Sequence, residues 1–284
     1  MTEIFVAAAA VFLAGFIFLT LRARRRRKKF FDAPFPPQWR KLLRRNVPAY
    51  EKLPADLREK FHRRVKEFLA EKNFEACGGL ETVSDALALT IAGNASLLVM
   101  NRPGEAWRAL HSVLVYPGAF GAEKDDADDA GEAGGVPIRR ERGARDGESW
   151  THGSVVFSRE RIARDVALHG NGQNVVIHEF AHQLDSDDGI SGGRPPFADP
   201  ADAKAWAEVS ARELERLRSG DADTVIDEYG AENPAEFFAT AVEAFFEMPA
   251  ETRRAHPALY ALLARLFAVD PAEQFRSVGK FPDA

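Results

Sequence analysis

Cysteine is nearly absent from this chain: Cys77 is the only one among 284 residues. A lone cysteine cannot form an internal disulfide, so the fold does not depend on oxidation and Cys77 reads as a small packed residue. Surplus positive charge is missing too. The formal net charge is -5, which argues against direct nucleic-acid binding. No internal repeat is visible, and methionine and histidine are scarce, at three and seven. What remains has the composition of a globular protein, 45% hydrophobic and 29% charged, long enough for one large domain or two modest ones.

The N-terminus differs from the rest. Ile4 to Leu21 carries no charge and is followed at once by a block running from Arg22 to Lys29 that holds only arginine, lysine and Ala23. As a helix, a run of roughly 18 residues rises about 27 Å, the thickness of a bilayer core. Basic residues after the apolar run, with none before it, reverse the order of a signal peptide. The expectation is a single transmembrane helix with its basic end inside: an inner-membrane, single-pass protein, held in the membrane by residues 4–21, with a cytoplasmic catalytic domain. The basic block also suits anionic lipid head groups. Residues 1–29 then form the anchor, and the proline-rich stretch 30–38, which cannot continue a helix, forms a linker. Residues 39–275 form the main domain and 276–284 a tail.

Within the main domain, helical spacing predicts helices at Trp39–Arg45 and Leu57–Lys72, the second carrying Leu57, Phe61, Val65 and Phe68 on one side. Thr82–Met100 reads as a helix at its start, with a strand at Ser96–Met100. β-formers predict strands at His111–Tyr116 and Ser154–Ser158. Ala122–Gly135 is acidic and lacks aromatics, as expected of a loop. Further helices are expected at Ala203–Arg218, Pro234–Glu247 and Pro257–Phe267, with a turn region at Asp187–Pro196.

Chemistry concentrates in NVVIHEFAHQLD, residues 174–185. His178 and His182 stand four apart, so on a helix both imidazoles lie on one face and can reach one ion. Glu179 follows the first histidine and sits beside such an ion without needing to ligate it. That is the position of a general base that takes a proton from the attacking water. The cofactor expected of this pattern is Zn2+.

A catalytic zinc takes three protein ligands and leaves one position open. The nearest histidine downstream is His256, so the third ligand is sought among carboxylates. Glu236 and Glu243 share the polar side of the Pro234–Glu247 helix. Glu236 has a competing role, because Asn233, Pro234 and Glu236 have the spacing of a capping box. Glu243, two turns on, is the rival ligand. Asp185, one turn after His182, suits either an acceptor that orients a ligand imidazole or a helix-end turn.

Two segments together, VVIHEFAHQLD and DEYGAENPAEFFA, resemble the zinc-dependent peptidase family named after the Mlc titration factor A. Weaker matches lie at NVPAY, Phe68–Phe74, GESW and Phe267–Pro271, so the resemblance covers roughly Trp39 to Phe275. It implies an α+β, zincin-like metallopeptidase domain with a metal cleft between a strand-bearing part and a helical part. It implies Glu236 as the third zinc ligand, and Tyr229 as the match of a family tyrosine whose phenol could donate to an oxyanion. It also implies aminopeptidase-type activity on a peptide or protein substrate, and a transcriptional regulator as a partner, since the family's named member binds a repressor. Two functions follow: a zinc peptidase, with substrate laid against an edge strand at Ser154–Ser158, or a membrane-tethered regulatory protein that sequesters a repressor with its zinc site nearly idle.

Overall fold

The computed structural model describes residues 2–104, 106–119, 132–133, 136–137, 147–150, 153–186, 192–220 and 224–275. They divide into two compact units, Met1–Arg40 and Lys41–Ala284.

The first unit is dominated by helix α1 (Thr2–Asp32). Among the described residues, no helix is long and apolar enough to cross a membrane. This overturns the expected span at Ile4–Leu21, and with it the single-pass topology and the inner-membrane location. The helix that carries this run continues without a break into the arginines and lysines, through Phe30 and Phe31, to Asp32. The expected linker therefore shrinks to Ala33–Pro36, where Pro34 and Pro36 stop helical hydrogen bonding.

Helices α2 (Pro37–Asn46), α3 (Pro48–Lys52) and α4 (Ala55–Glu71) come next, then strand β1 (Asn73–Ala76) and helix α5 (Asp85–Val99). Ser84 caps α5 by accepting from the Leu87 N–H. The strand expected at Ser96–Met100 is instead the end of this helix. An unbroken apolar run carries no period that separates a strand from a buried helix, and Ile91 to Val99 are buried on every side. Strands β2 (Ser112–Tyr116), β3 (Glu132–Ala133), β4 (Val136–Pro137), β5 (Gly147–Trp150) and β6 (Ser154–Ser158) lead to the short helix α6 (Arg159–Ala167). Of the expected loop at Ala122–Gly135, all but Glu132–Ala133 lies outside the described residues, as does the tail 276–284. The remaining helices are α7 (Val175–Asp185), α8 (Pro200–Arg218), α9 (Pro234–Glu247), α10 (Pro249–Ala255), α11 (Pro257–Phe267) and α12 (Pro271–Gln274), with a 3-10 turn at Glu228–Ala231 before α9.

The sheet is small, in the order β1-β2-β6-β5. β1, β2 and β6 run parallel, and β5 is antiparallel to β6. β3 and β4 form a separate pair. The α+β, zincin-like expectation with a membrane helix is thus replaced by a predominantly helical fold carrying a short mixed sheet. Strands of four or five residues cannot dominate a domain whose helices run to 19 residues. β6 lies inside the sheet between β2 and β5, so a peptide cannot add to it; the edge on that side is β5.

Two aromatic clusters form the core. Phe180 of α7 packs against Phe68 at 5.5 Å, Trp107 at 4.7 Å and Phe157 at 6.2 Å, which ties the motif helix to α4 and to the sheet. α9 is buried along nearly its whole circumference through Phe237, Phe238, Phe245 and Phe246. Each buried phenylalanine contributes roughly 1.5–3 kcal/mol relative to exposure. Both helices that bear the candidate site are therefore core helices, and their positions are set by packing.

Candidate metal centre

Asn174 starts α7 by accepting from the Ile177 N–H at 3.2 Å. Carboxylates secure the same end: Asp165 accepts from the Val175 N–H at 2.8 Å, and Glu243 from the Asn174 N–H at 2.7 Å. Negative groups belong there, because the N-terminus of a helix carries its partial positive charge.

One turn apart on this helix, His178 and His182 turn their Nε2 atoms toward each other at 3.2 Å. Glu236 brings Oε2 to 3.0 Å from His178 Nε2 and 3.3 Å from His182 Nε2. Four ligands about 2.0–2.1 Å from a tetrahedral zinc lie about 3.3 Å from one another. The three donor atoms therefore already have close to the mutual spacing of a tetrahedral face. Among the described residues, these three form the group of His, Cys, Asp and Glu side chains able to hold a metal ion. Their side chains are 13%, 14% and 18% exposed, leaving the centre reachable from one side.

The first turn of α9 shows why Glu236 is available. Asn233 accepts from the N–H groups of both Ala235 and Glu236, at 2.9 and 3.0 Å. The cap is complete without the glutamate side chain, which faces the histidines.

Glu179 is buried beside His178. With Glu236 and Glu243 it surrounds two imidazoles with three carboxyl groups. Burial opposes the charged form of His178, but the charge of Glu243 and hydrogen bonds to Glu236 and Glu243 raise its pKa well above the ordinary histidine value. Burial likewise pushes Glu236 up, yet hydrogen bonds from His178 and His182 hold it far below the usual carboxylate range. Both shifts express one fact: the cluster favours positive charge at its centre. A nitrogen–nitrogen–oxygen donor set in a field of carboxylates fits a divalent cation.

Glu243, the rival ligand, does not face the Nε2 atoms. Its Oε2 lies 3.2 Å from the other ring nitrogen of His178, Nδ1. Asp185 stands apart from the donor atoms. Its carboxylate accepts from the N–H groups of Gly192 and Gly193, both at 2.8 Å, and from that of Arg194. Gly193 has φ +71°, and a side chain there would collide with the Pro234 carbonyl. The Trp206 indole donates to the Gly193 carbonyl at 2.8 Å. Asp185 thus pins residues 192–194 against the start of the helix that carries Glu236. Tyr229, on the 3-10 turn, is 47% exposed with its ring 6.1 Å from that of His178. Gln173 holds the start of this turn through Asp227 at 2.7 Å, and Arg218 binds the Ala231 carbonyl at its end at 2.9 Å.

Asn174, Asp165, Trp206 and Gly193 escape a reading by chemical type. The signal available for Asn174 was its place as an N-cap directly before an apolar helix. Glu243 was found by its seven-residue spacing from Glu236, which puts both on one face of α9, but as a rival ligand and not as the partner of Nδ1.

The family described as Glucose-regulated metallo-peptidase M90 matches residues 21–268. An uncharacterized protein of Synechocystis sp. is 35% identical over 250 residues, covering 87% of this chain and 89% of that protein. Proteins named Mlc titration factor A, from Yersinia pestis and Yersinia pseudotuberculosis, are each 29% identical over 245 residues, covering 84% of this chain and 87% of theirs. With a match over most of its length and a metal-competent histidine–glutamate cluster inside that match, the chain belongs to the glucose-regulated metallo-peptidase family.

Proposed function

We propose that this chain is a zinc-dependent peptidase, with His178, His182 and Glu236 as the residues that would hold the metal. The observation that carries this reading is the mutual spacing of their three donor atoms, 3.0, 3.2 and 3.3 Å. When bound, zinc would supply Lewis-acid polarisation of the scissile carbonyl and make a nearby water more acidic. Glu179 takes the proton of the attacking water and delivers it to the leaving amine. Tyr229, its ring 6.1 Å from that of His178, donates its phenol hydrogen to the developing oxyanion. An extended peptide can lie along β5, the edge strand on this side of the sheet. Following the family resemblance, peptides with a free N-terminus are the expected substrates. Asp185 acts one step away, through residues 192–194 and the start of α9.

The test is Glu179→Gln. It keeps shape and removes basicity, so turnover should fall at least about a hundredfold to ten-thousandfold, with zinc content unchanged. Unaltered turnover at full zinc occupancy would overturn the reading.

The relatives' name supports a second reading. They are titration factors for Mlc, and this chain resembles them over 84% of its length. On that reading it binds a transcriptional regulator of the same kind. Capture of such a regulator, equal for wild type and Glu179→Gln, would show that binding and hydrolysis are separate.

A further inference from the structure

Glu243 is 4% exposed, sits in the middle of α9, and has two N–H groups to satisfy. Oε1 accepts from the Asn174 backbone at 2.7 Å, and Oε2 lies 3.2 Å from His178 Nδ1. A neutral imidazole carries one hydrogen. With Nε2 facing His182 and Glu236 as the ligand atom, that hydrogen sits on Nδ1, where Glu243 Oε2 is the acceptor that faces it.

We infer that Glu243 is a positioning residue for the metal centre, fixing both the orientation of the His178 ring and the end of the helix that carries it. This rests on the reading of His178 as a ligand. One carboxylate does two jobs, because Asn174 is the cap of α7 and His178 lies one turn further along. A carboxamide could not replace it. Glutamine offers one acceptor oxygen, and its NH2 would face either the Asn174 N–H or His178 Nδ1. In the first case two donors clash and the helix end is lost. In the second the ring must present an acceptor at Nδ1, and its hydrogen moves to the atom meant for the metal.

Glu247 provides an internal control. It holds the same cap residue through Asn174 Nδ2 at 2.8 Å, and the Gly170 N–H at 2.8 Å, but neither of those groups belongs to a metal ligand. If Glu243 merely secured the end of α7, Glu247→Gln would act in the same way.

The experiment compares Glu243→Gln, Glu243→Asp and Glu247→Gln with the wild-type chain. Zinc affinity is measured by competition with a chromogenic chelator, and the His178 Nδ1–H signal by NMR of the nitrogen-labelled chain, with and without zinc. Glu243→Gln should weaken zinc binding about tenfold to a hundredfold and abolish or displace the Nδ1–H signal. Glu243→Asp keeps the charge but falls a methylene short, so it should show the same losses; it serves as the test variant if the glutamine form does not fold. Glu247→Gln should keep both the affinity and the signal. Wild-type affinity with an intact signal in both Glu243 variants would overturn the inference, as would equal losses in Glu247→Gln. A wild-type chain that bound no zinc would instead overturn the metal reading. The Nδ1–H signal of the zinc-free chain would still decide whether Glu243 holds the ring.

Discussion

Two buried glutamate–histidine pairs occur in the same unit and meet different ends. In both, a glutamate faces Nδ1: Glu243 on His178 at 3.2 Å and Glu213 on His256 at 2.9 Å. The difference lies at the other ring nitrogen. His256 Nε2 faces the Thr224 hydroxyl at 3.2 Å, and Arg216 adds its charge to Glu213 at 2.7 Å. Both ring nitrogens have a partner, and His256 is 1% exposed. His178 Nε2 faces a second imidazole and a second carboxylate, with the side chain 13% exposed. One pair is closed by a hydroxyl and ties α8 to the junction of α10 and α11. The other is left open to a cation. What separates a structural pair from a metal-competent one is the company of the far nitrogen.

The comparison breaks most sharply under alanine. His178→Ala should lose stoichiometric zinc and all hydrolysis, measured by metal analysis and peptide turnover. His256→Ala should keep its zinc and lose about 1–3 kcal/mol of stability in urea melts, because Glu213 and Thr224 each lose a buried hydrogen-bond partner. Zinc loss in the second variant, or retention in the first, would erase the distinction.

Glu236 and Asn233 sharpen the open side next. Glu236→Ala should abolish tight zinc binding with little change in apo stability, since Asn233 already caps the helix. Asn233→Ala should cost about 1 kcal/mol of stability and leave the ligand in place. If Glu236→Ala destabilised the apo chain and kept its zinc, Glu236 would return to the capping role that its spacing also allowed.

Much of this centre could be read from the sequence, because its largest parts are local. The HExxH spacing placed two histidines on one face, and Asn-Pro-Ala-Glu marked the start of α9. The choice between Glu236 and Glu243 was not local. Seven residues apart on one face, they differ in which nitrogen of His178 each meets, and that depends on how α7 lies across α9. The fold was misjudged at Ser96–Met100, where a uniformly apolar run with no period hid a helix, and in the α+β class taken from the family resemblance, where short strands sit among much longer helices. The N-terminal run was judged on its length and on the basic block behind it, and α1 carries it through that block to Asp32.

The smallest expected effects concern the groups facing each pair. Tyr229→Phe should reduce turnover about a hundredfold, with zinc content and melting temperature unchanged. Thr224→Val should leave turnover and zinc alone and cost about 1–3 kcal/mol, the penalty of an unsatisfied buried imidazole. A loss of turnover in Thr224→Val would join the two pairs into one functional network.

Asp185 has a consequence for how such a chain can diversify. It grips the backbone of residues 192–194, not side chains, so what it needs from those positions is N–H groups in the right place. Positions 192 and 194 can therefore change their side chains while α7 and α9 keep their places: a side chain at 192 would meet open space, and that of Arg194 is exposed. Gly193 has no such freedom, because its backbone lies against the Pro234 carbonyl.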